Sequence, residues 1–220
     1  MSKRVYNQYC AIARSLDVIG ERWTLLLIRE LMTGPKRFTD LLGHLPGIGT
    51  NLLSNRLKEL EETDLIAQTR LPAPASSVVY TLTDRGAALE PVLMSLAQWG
   101  RPLLGPPREK DKLAPGWLML AMKKSFKPEA ADGIDEVYEY RVDDDIFQVK
   151  VQENQIQIEQ GLPWQADVVL TTESDALMHV VAGEMDLETA LKRGSMKVEG
   201  PMSSFYRTFA LYGVDIGSDN

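Results

Sequence analysis

The sequence predicts two domains in series, a mainly α half closed by a winged helix-turn-helix and an α+β half. Three observations predict it. Residues 50–61 place Leu53, Leu57 and Leu60 at helical spacing, with Thr50, Asn51, Ser54, Asn55 and Lys58 on the opposite face. Gly105-Pro106-Pro107-Arg108-Glu109-Lys110-Asp111 is a run of helix breakers and charge that reads as a linker. Beyond it the apolar period switches from helical to two. The expected boundaries are 1–104 for the first domain, 105–112 for the linker and 113–220 for the second domain.

In the first half, Cys10–Ile19 reads as a short amphipathic helix with Ile12, Leu16 and Ile19 on one side. Glu21–Met32 is apolar nearly all round and is the expected central core helix, stopped by Gly34-Pro35. Thr39 is the expected cap of a short helix over Asp40–Leu45, and Pro46-Gly47-Ile48-Gly49 forms the turn into the leucine-striped helix. Ile66–Leu71 and Val78–Leu82 read as two strands flanking Pro72-Ala73-Pro74-Ala75-Ser76-Ser77, a wing. Thr83 or Asp84 caps a last long helix through Leu89, Val92, Leu93, Leu96 and Trp99, a stripe expected to pack partly against a second subunit.

In the second half, Pro115–Phe126 reads as a helix. Strands follow at Val137/Glu139, Phe147/Val149/Val151 and Ile156/Ile158, separated by Asp143-Asp144-Asp145 and Glu153-Asn154 turns. Asp167–Thr171 is a further strand. Ser174–Ala182 and Asp186–Arg193 are helices closed by Gly183 and Gly194, Met196–Glu199 is a short strand, and Pro201–Tyr212 a terminal helix. The expectation is a meandering sheet with helices against one face.

Charge separates the halves. The chain has a net charge of −7, yet residues 1–110 hold 14 Lys and Arg against 11 Asp and Glu, while the remainder holds 10 against 20. A polyanion-binding module joined to a domain that avoids polyanions fits this asymmetry, as do two unrelated domains fused. One cysteine excludes an internal disulfide framework, and two distant histidines, His44 and His179, disfavour zinc. The N-terminus has no apolar signal core and no run reaches membrane-spanning length, so a cytoplasmic protein without a membrane partner is expected. No nucleophile–base pair, phosphate loop or metal-ligand spacing appears, which argues against an enzyme and against a cofactor. Asp143-Asp144-Asp145 reads as a solvated turn rather than a cation site.

The short polar side chains Thr50, Asn51, Ser54 and Asn55, with Arg56 and Lys58, suit a helix that enters a major groove. Residues 50–64 nevertheless carry Arg56 and Lys58 against Glu59, Glu61, Glu62 and Asp64. Phosphate affinity must therefore come partly from Lys36 and Arg37, at the loop before the second helix of the motif, and from Arg70 on the wing.

The run Cys10-Ala11-Ile12-Ala13-Arg14-Ser15-Leu16-Asp17-Val18-Ile19-Gly20-Glu21-Arg22-Trp23-Thr24-Leu25-Leu26-Leu27-Ile28-Arg29-Glu30-Leu31 resembles the opening of HxlR-type transcriptional regulators. The resemblance continues through Gly34-Pro35-Lys36-Arg37-Phe38, Leu45-Pro46-Gly47-Ile48, Leu53–Glu61 and Tyr80-Thr81-Leu82-Thr83-Asp84-Arg85-Gly86. It implies a homodimer on a pseudo-palindromic double-stranded DNA operator. Two positions depart from the pattern: Ala11 follows the cysteine where proline is usual, and Thr50 and Asn51 make the first turn less basic, so no operator sequence carries over. A lone cysteine such as Cys10 is usually a small buried hydrophobe; the resemblance implies the alternative, a redox-sensing thiol, helped by its helix N-terminal position and by Lys3 and Arg4.

Ala166–Thr172, Gly183-Glu184-Met185-Asp186 and Ala190–Gly200 resemble the sterol-carrier-protein-like fold. That resemblance implies a cavity of a few hundred Å³ for a small apolar ligand between sheet and helices. The residues expected to line it are Trp117, Met122, Phe147, Val149, Ile158, Met178, Val181 and Phe209. Six of nine methionines follow residue 111, which suits either a pliable pocket or an ordinary core. The combined reading is a DNA-binding transcriptional regulator, dimeric and ligand-responsive. Its rivals are a redox-switched regulator acting through Cys10 with a structural second domain, and an apolar-ligand carrier.

Overall fold

In the computed structural model, which describes residues 5–71, 76–105, 115–161, 165–181 and 183–213, the chain divides into two units, residues 1–112 and 113–220. The first begins with α1 (Ala11–Ile19). Its single buried residue is Ala13, and Ile12 and Leu16 stay exposed. Helix α2 (Thr24–Leu31) starts three residues later than its apolar run suggests, and Trp23, Leu27, Ile28 and Leu31 form the centre of the first core.

Helix α3 spans Phe38–His44, two residues ahead of the expected start. The cap is not Thr39. Asp40 lies in the first turn and its carboxylate accepts the Arg37 backbone N–H at 2.9 Å, which draws the helix start back to residue 38. Gly47, at φ +91°, turns the chain into α4 (Thr50–Glu62). Strands β1 (Ile66–Arg70) and β2 (Val78–Leu82) pair antiparallel with Ile66 opposite Leu82 and Arg70 opposite Val78. Residues 72–75 of the expected wing tip fall outside the described residues, as do Lys3 and Arg4.

The long helix expected after the wing is two helices, α5 (Asp84–Ala87) and α6 (Glu90–Gly100). Pro91 explains the break. It has no N–H to offer the carbonyl four residues back, and its ring excludes the α turn there. Thr83 caps α5, accepting the Gly86 N–H at 3.1 Å. A side chain at Gly86 would collide with the Leu65 carbonyl, so this turn packs directly on the strand entry.

The second unit opens with α7 (Pro115–Ser125), followed by β3 (Glu136–Val142), β4 (Asp145–Gln152) and β5 (Gln155–Gln160). Then come β6 (Val168–Thr172), α8 (Ser174–Val181), α9 (Leu187–Lys192), β7 (Met196–Glu199) and α10 (Met202–Ala210). The sheet order is β5-β4-β3-β6-β7, with β3 and β6 parallel. This corrects the expected meander. After the β4–β5 hairpin the chain returns beside β3, and Asp167 secures it there: its backbone N–H donates to the Val137 carbonyl and its carboxylate accepts the Val137 N–H, both at 2.8 Å.

One face of this sheet carries Tyr138, Tyr140, Val142, Phe147, Val149, Val151, Val168 and Leu170, all buried against Met119, Met122, Leu177, Val180, Phe205 and Phe209. In β3 the inward residues are therefore Tyr138 and Tyr140, one position out of phase with the expected Val137/Glu139 pair. The opposite face is polar, with Glu139 accepting from Gln148 at 2.8 Å and Arg141 at 2.7 Å. Asp143, in the acidic turn, accepts the Ser174 N–H at 3.0 Å and so holds the start of α8.

Candidate nucleic-acid interface

Helix α4 is divided cleanly by burial. Leu53, Leu57 and Leu60 are buried in the first core, whereas Thr50, Asn51, Ser54, Asn55 and Lys58 are exposed. Its 13 residues span about 20 Å. Burial of the leucine stripe fixes the rotation of the helix, and the face presented outward holds hydroxyl, amide and ammonium groups suited to base edges and phosphates. The buried carboxylate of Glu30 ties α2 to the end of α3, accepting from Arg29 Nη2 at 2.8 Å and contacting His44 Nδ1 at 3.1 Å.

The cations divide differently from expectation. Arg37 is exposed at the start of α3, and its Nε donates to Ser77 Oγ at 3.2 Å, linking the helix to the wing. Arg70 is exposed at the end of β1. Lys36 is a correction: it is only 3 % exposed. Its backbone bridges to Tyr80 of β2 through hydrogen bonds of 3.0 and 2.8 Å, so its side chain turns inward, and Nζ donates to Thr33 Oγ1 at 2.9 Å. Arg56 is a second correction. It lies on the flank of α4, where its guanidinium is held by Glu21 at 3.0 Å and by Glu59. Lys58 remains outward, 3.9 Å from Glu62 in an exposed pair of little weight. Cys10 is exposed, immediately before α1, so it is not the small buried hydrophobe of one reading.

In the second unit, Met122, Phe147, Val149 and Phe209 come together in the buried core, with Ile158 and Val181 packed at its margin. Trp117 and Met178 are half-buried and stand outside that buried cluster. On α8 the inward positions are Leu177 and Val180, and one residue along a helix is a rotation of about 100°. The sequence reading missed a polar seam beneath α10. Glu136 accepts from Ser204 Oγ at 2.9 Å and also from Arg207 and Tyr138, and Tyr140 hydrogen-bonds Thr208 at 2.6 Å. The α10 partners lie about 70 residues from the strand and leave no local signal.

A helix, a tight turn, a polar-faced helix and a two-stranded wing on a shared leucine core define a winged helix-turn-helix, the class of module used by DNA-binding regulators of transcription. Residues 18–107 match the HxlR-like helix-turn-helix family, and residues 118–207 match the SCP-2 sterol transfer family. The HTH-type transcriptional regulator YodB of Bacillus subtilis is 38 % identical over 94 residues, which are 42 % of this chain and 84 % of that protein. The chain belongs to the HxlR-like helix-turn-helix family and carries an SCP-2-like domain after it. Among solved structures, the reduced form of YodB is 35 % identical, covers 46 % of this chain and 100 % of its own, and has a TM-score of 0.39. The sec-alkylsulfatase Pisa1 from Pseudomonas sp. is 22 % identical with a TM-score of 0.41, covering 45 % of this chain and 16 % of that one. No helix among the described residues is long and apolar enough to cross a membrane.

Proposed function

We propose that this regulator acts as a homodimer on a pseudo-palindromic operator and that a small apolar ligand in the SCP-2-like domain modulates it. The observation that carries the DNA reading is the outward face Thr50, Asn51, Ser54, Asn55 and Lys58 opposite a buried leucine stripe. Arg37 and Arg70 supply backbone contacts, and Asn51 and Asn55 read bases. Two copies place two α4 helices about 34–36 Å apart, one turn of duplex. Support for the dimer comes from α6 and the turn after it, where Val92, Leu96, Trp99 and Leu103 are exposed in the single chain. Mobility-shift titration of the full chain at several salt concentrations tests the reading. Salt-dependent retardation with a slope of several units supports it, and no salt-dependent binding overturns it.

The ligand reading rests on the apolar sheet face and the SCP-2 match. A ligand shifts DNA binding only if its affinity differs between the competent and incompetent dimer. Mass spectrometry of the purified full chain for co-purified apolar molecules, with thermal scans against fatty acids and sterols, tests it. A second reading follows from the exposure of Cys10: a mixed or intersubunit disulfide with loss of DNA binding, read on non-reducing gels and by intact mass.

A further inference from the structure

The structure withdraws two expected cations from the DNA surface, Lys36 by burial and Arg56 by its two carboxylates. Arg37, Lys58 and Arg70 remain exposed around an acidic recognition helix, and a further cation stands beside it. A cleft of about 400 Å³ lies along the flank of α4, lined by Glu21, Arg22 and Trp23 before α2, by Pro46 and Gly47 of the turn, and by Leu52 and Arg56 of α4 itself.

Leu52 and Arg56 each follow directly on a residue of the outward face, Asn51 and Asn55, so the cleft borders that face at about 100° of helix rotation. A helix with its side chains is about 10–12 Å across and the major groove is about 12 Å wide. A flank bordering the base-reading face therefore meets the sugar-phosphate backbone.

Within the cleft, Arg56 is already neutralised by Glu21 and Glu59. Arg22 differs: it is exposed, and among the described residues no carboxylate pairs with it. Its guanidinium lies 5.4 Å from the centroid of the Trp23 ring, and Trp23 is buried in the first core. Stacking on a fixed indole orients a guanidinium and leaves its N–H fork for an acceptor. The ligand chemistry is thus a tetrahedral oxyanion contacted by an arginine fork.

We propose that this cleft seats a backbone phosphodiester of DNA, with Arg22 as its contacting group, on the flank of the recognition helix. The inference rests on the DNA-binding reading above. Arg56 holds the cleft open as a positioning residue, its planar group fixed between Glu21 and Glu59.

The test uses the full chain and a fluorescein-labelled 30-base-pair duplex of mixed sequence, titrated by anisotropy between 50 and 200 mM KCl. Arg22→Ala should make the slope of log K against log salt shallower by about 0.9 for each bound protomer, with only a small drop in thermal midpoint from the lost stacking on Trp23. Arg22→Lys should keep the slope, and Arg193→Ala, in the other unit, should leave it unaltered. An unchanged slope in Arg22→Ala, while wild type binds with normal salt dependence, overturns this proposal alone. Failure of wild type to bind DNA at all overturns it together with the reading it rests on. Sodium sulfate at constant ionic strength separates the two sources of oxyanion. A saturable stabilisation of wild type that Arg22→Ala lacks, with the slope unchanged, would assign the cleft to a small free anion and overturn the phosphodiester.

Discussion

Lys36 and Arg37 are neighbours of like charge with opposite fates, and backbone geometry decides between them. Lys36 is bridged to Tyr80 like a strand residue, and successive strand side chains point to opposite sides; one goes inward to Thr33 and the other outward beside Ser77. Arg37→Ala should therefore make the salt dependence of DNA binding shallower by about 0.9 per contact. Lys36→Ala should leave that slope intact and instead lower stability by about 1–3 kcal/mol, as the buried hydrogen bond from Nζ to Thr33 Oγ1 and the packing of the lysine stem are lost. Denaturant melts and salt titrations of both variants check the assignment, and a slope change in Lys36→Ala would refute it. Which of two adjacent cations faces solvent was not legible in the sequence, because the deciding partner, Tyr80, lies 44 positions on. The polar face Thr50, Asn51, Ser54 and Asn55 was legible, since the leucines that orient it lie in the same helix.

At the scale of elements, two features with weak sequence signals govern how the first unit presents α4. Glu30 is buried between α2 and α3 with Arg29 and His44 around it. Removing the carboxylate leaves the Arg29 guanidinium and the His44 ring without it, so Glu30→Ala should cost about 2–4 kcal/mol in urea unfolding of the full chain; a loss below about 0.5 would show that the pairing is incidental. Helix α6 carries the other. Pro91 sets its start, and its stripe splits in the single chain: Leu93 is buried, whereas Trp99 is 71 % exposed. The stripe was legible as periodicity, and the break at Ala88–Leu89 has its only sequence mark in Pro91. Trp99→Glu places a charge within the proposed subunit contact, and light scattering at micromolar concentration should show a monomer. A dimer that survives both this change and Val92→Asp would place the interface elsewhere.

For the whole molecule, the two charge-separated halves were legible because composition is additive along the chain, and the strands of the second half because period two is local. Strand order was not: the parallel pairing of β3 with β6 depends on Asp167 meeting Val137 across a hairpin, and neither residue is distinctive alone. The buried tyrosines of that sheet give the unit a pH response of its own. Burial pushes the Tyr140 phenol up to about 12. Burial also raises Tyr138, with its bond to Glu136 adding to the effect, and raises Tyr212, where the neighbouring Tyr140 adds to it. An unfolded tyrosine ionises near 10, and each unit of difference is about 1.4 kcal/mol. The neutral form is the one the fold prefers, so this contribution is complete below pH 10 and is lost as pH rises from 10 through 12. Alkaline titration followed by absorbance near 295 nm and by near-ultraviolet dichroism should therefore show the two signals of the buried tyrosines changing together. Tyr138, Tyr140 and Tyr212 should ionise only with loss of the second unit's near-ultraviolet dichroism. Tyr140→Phe should abolish part of that loss and shift the unfolding midpoint to higher pH, whereas a single smooth titration of all tyrosines in the native protein would contradict the buried seam.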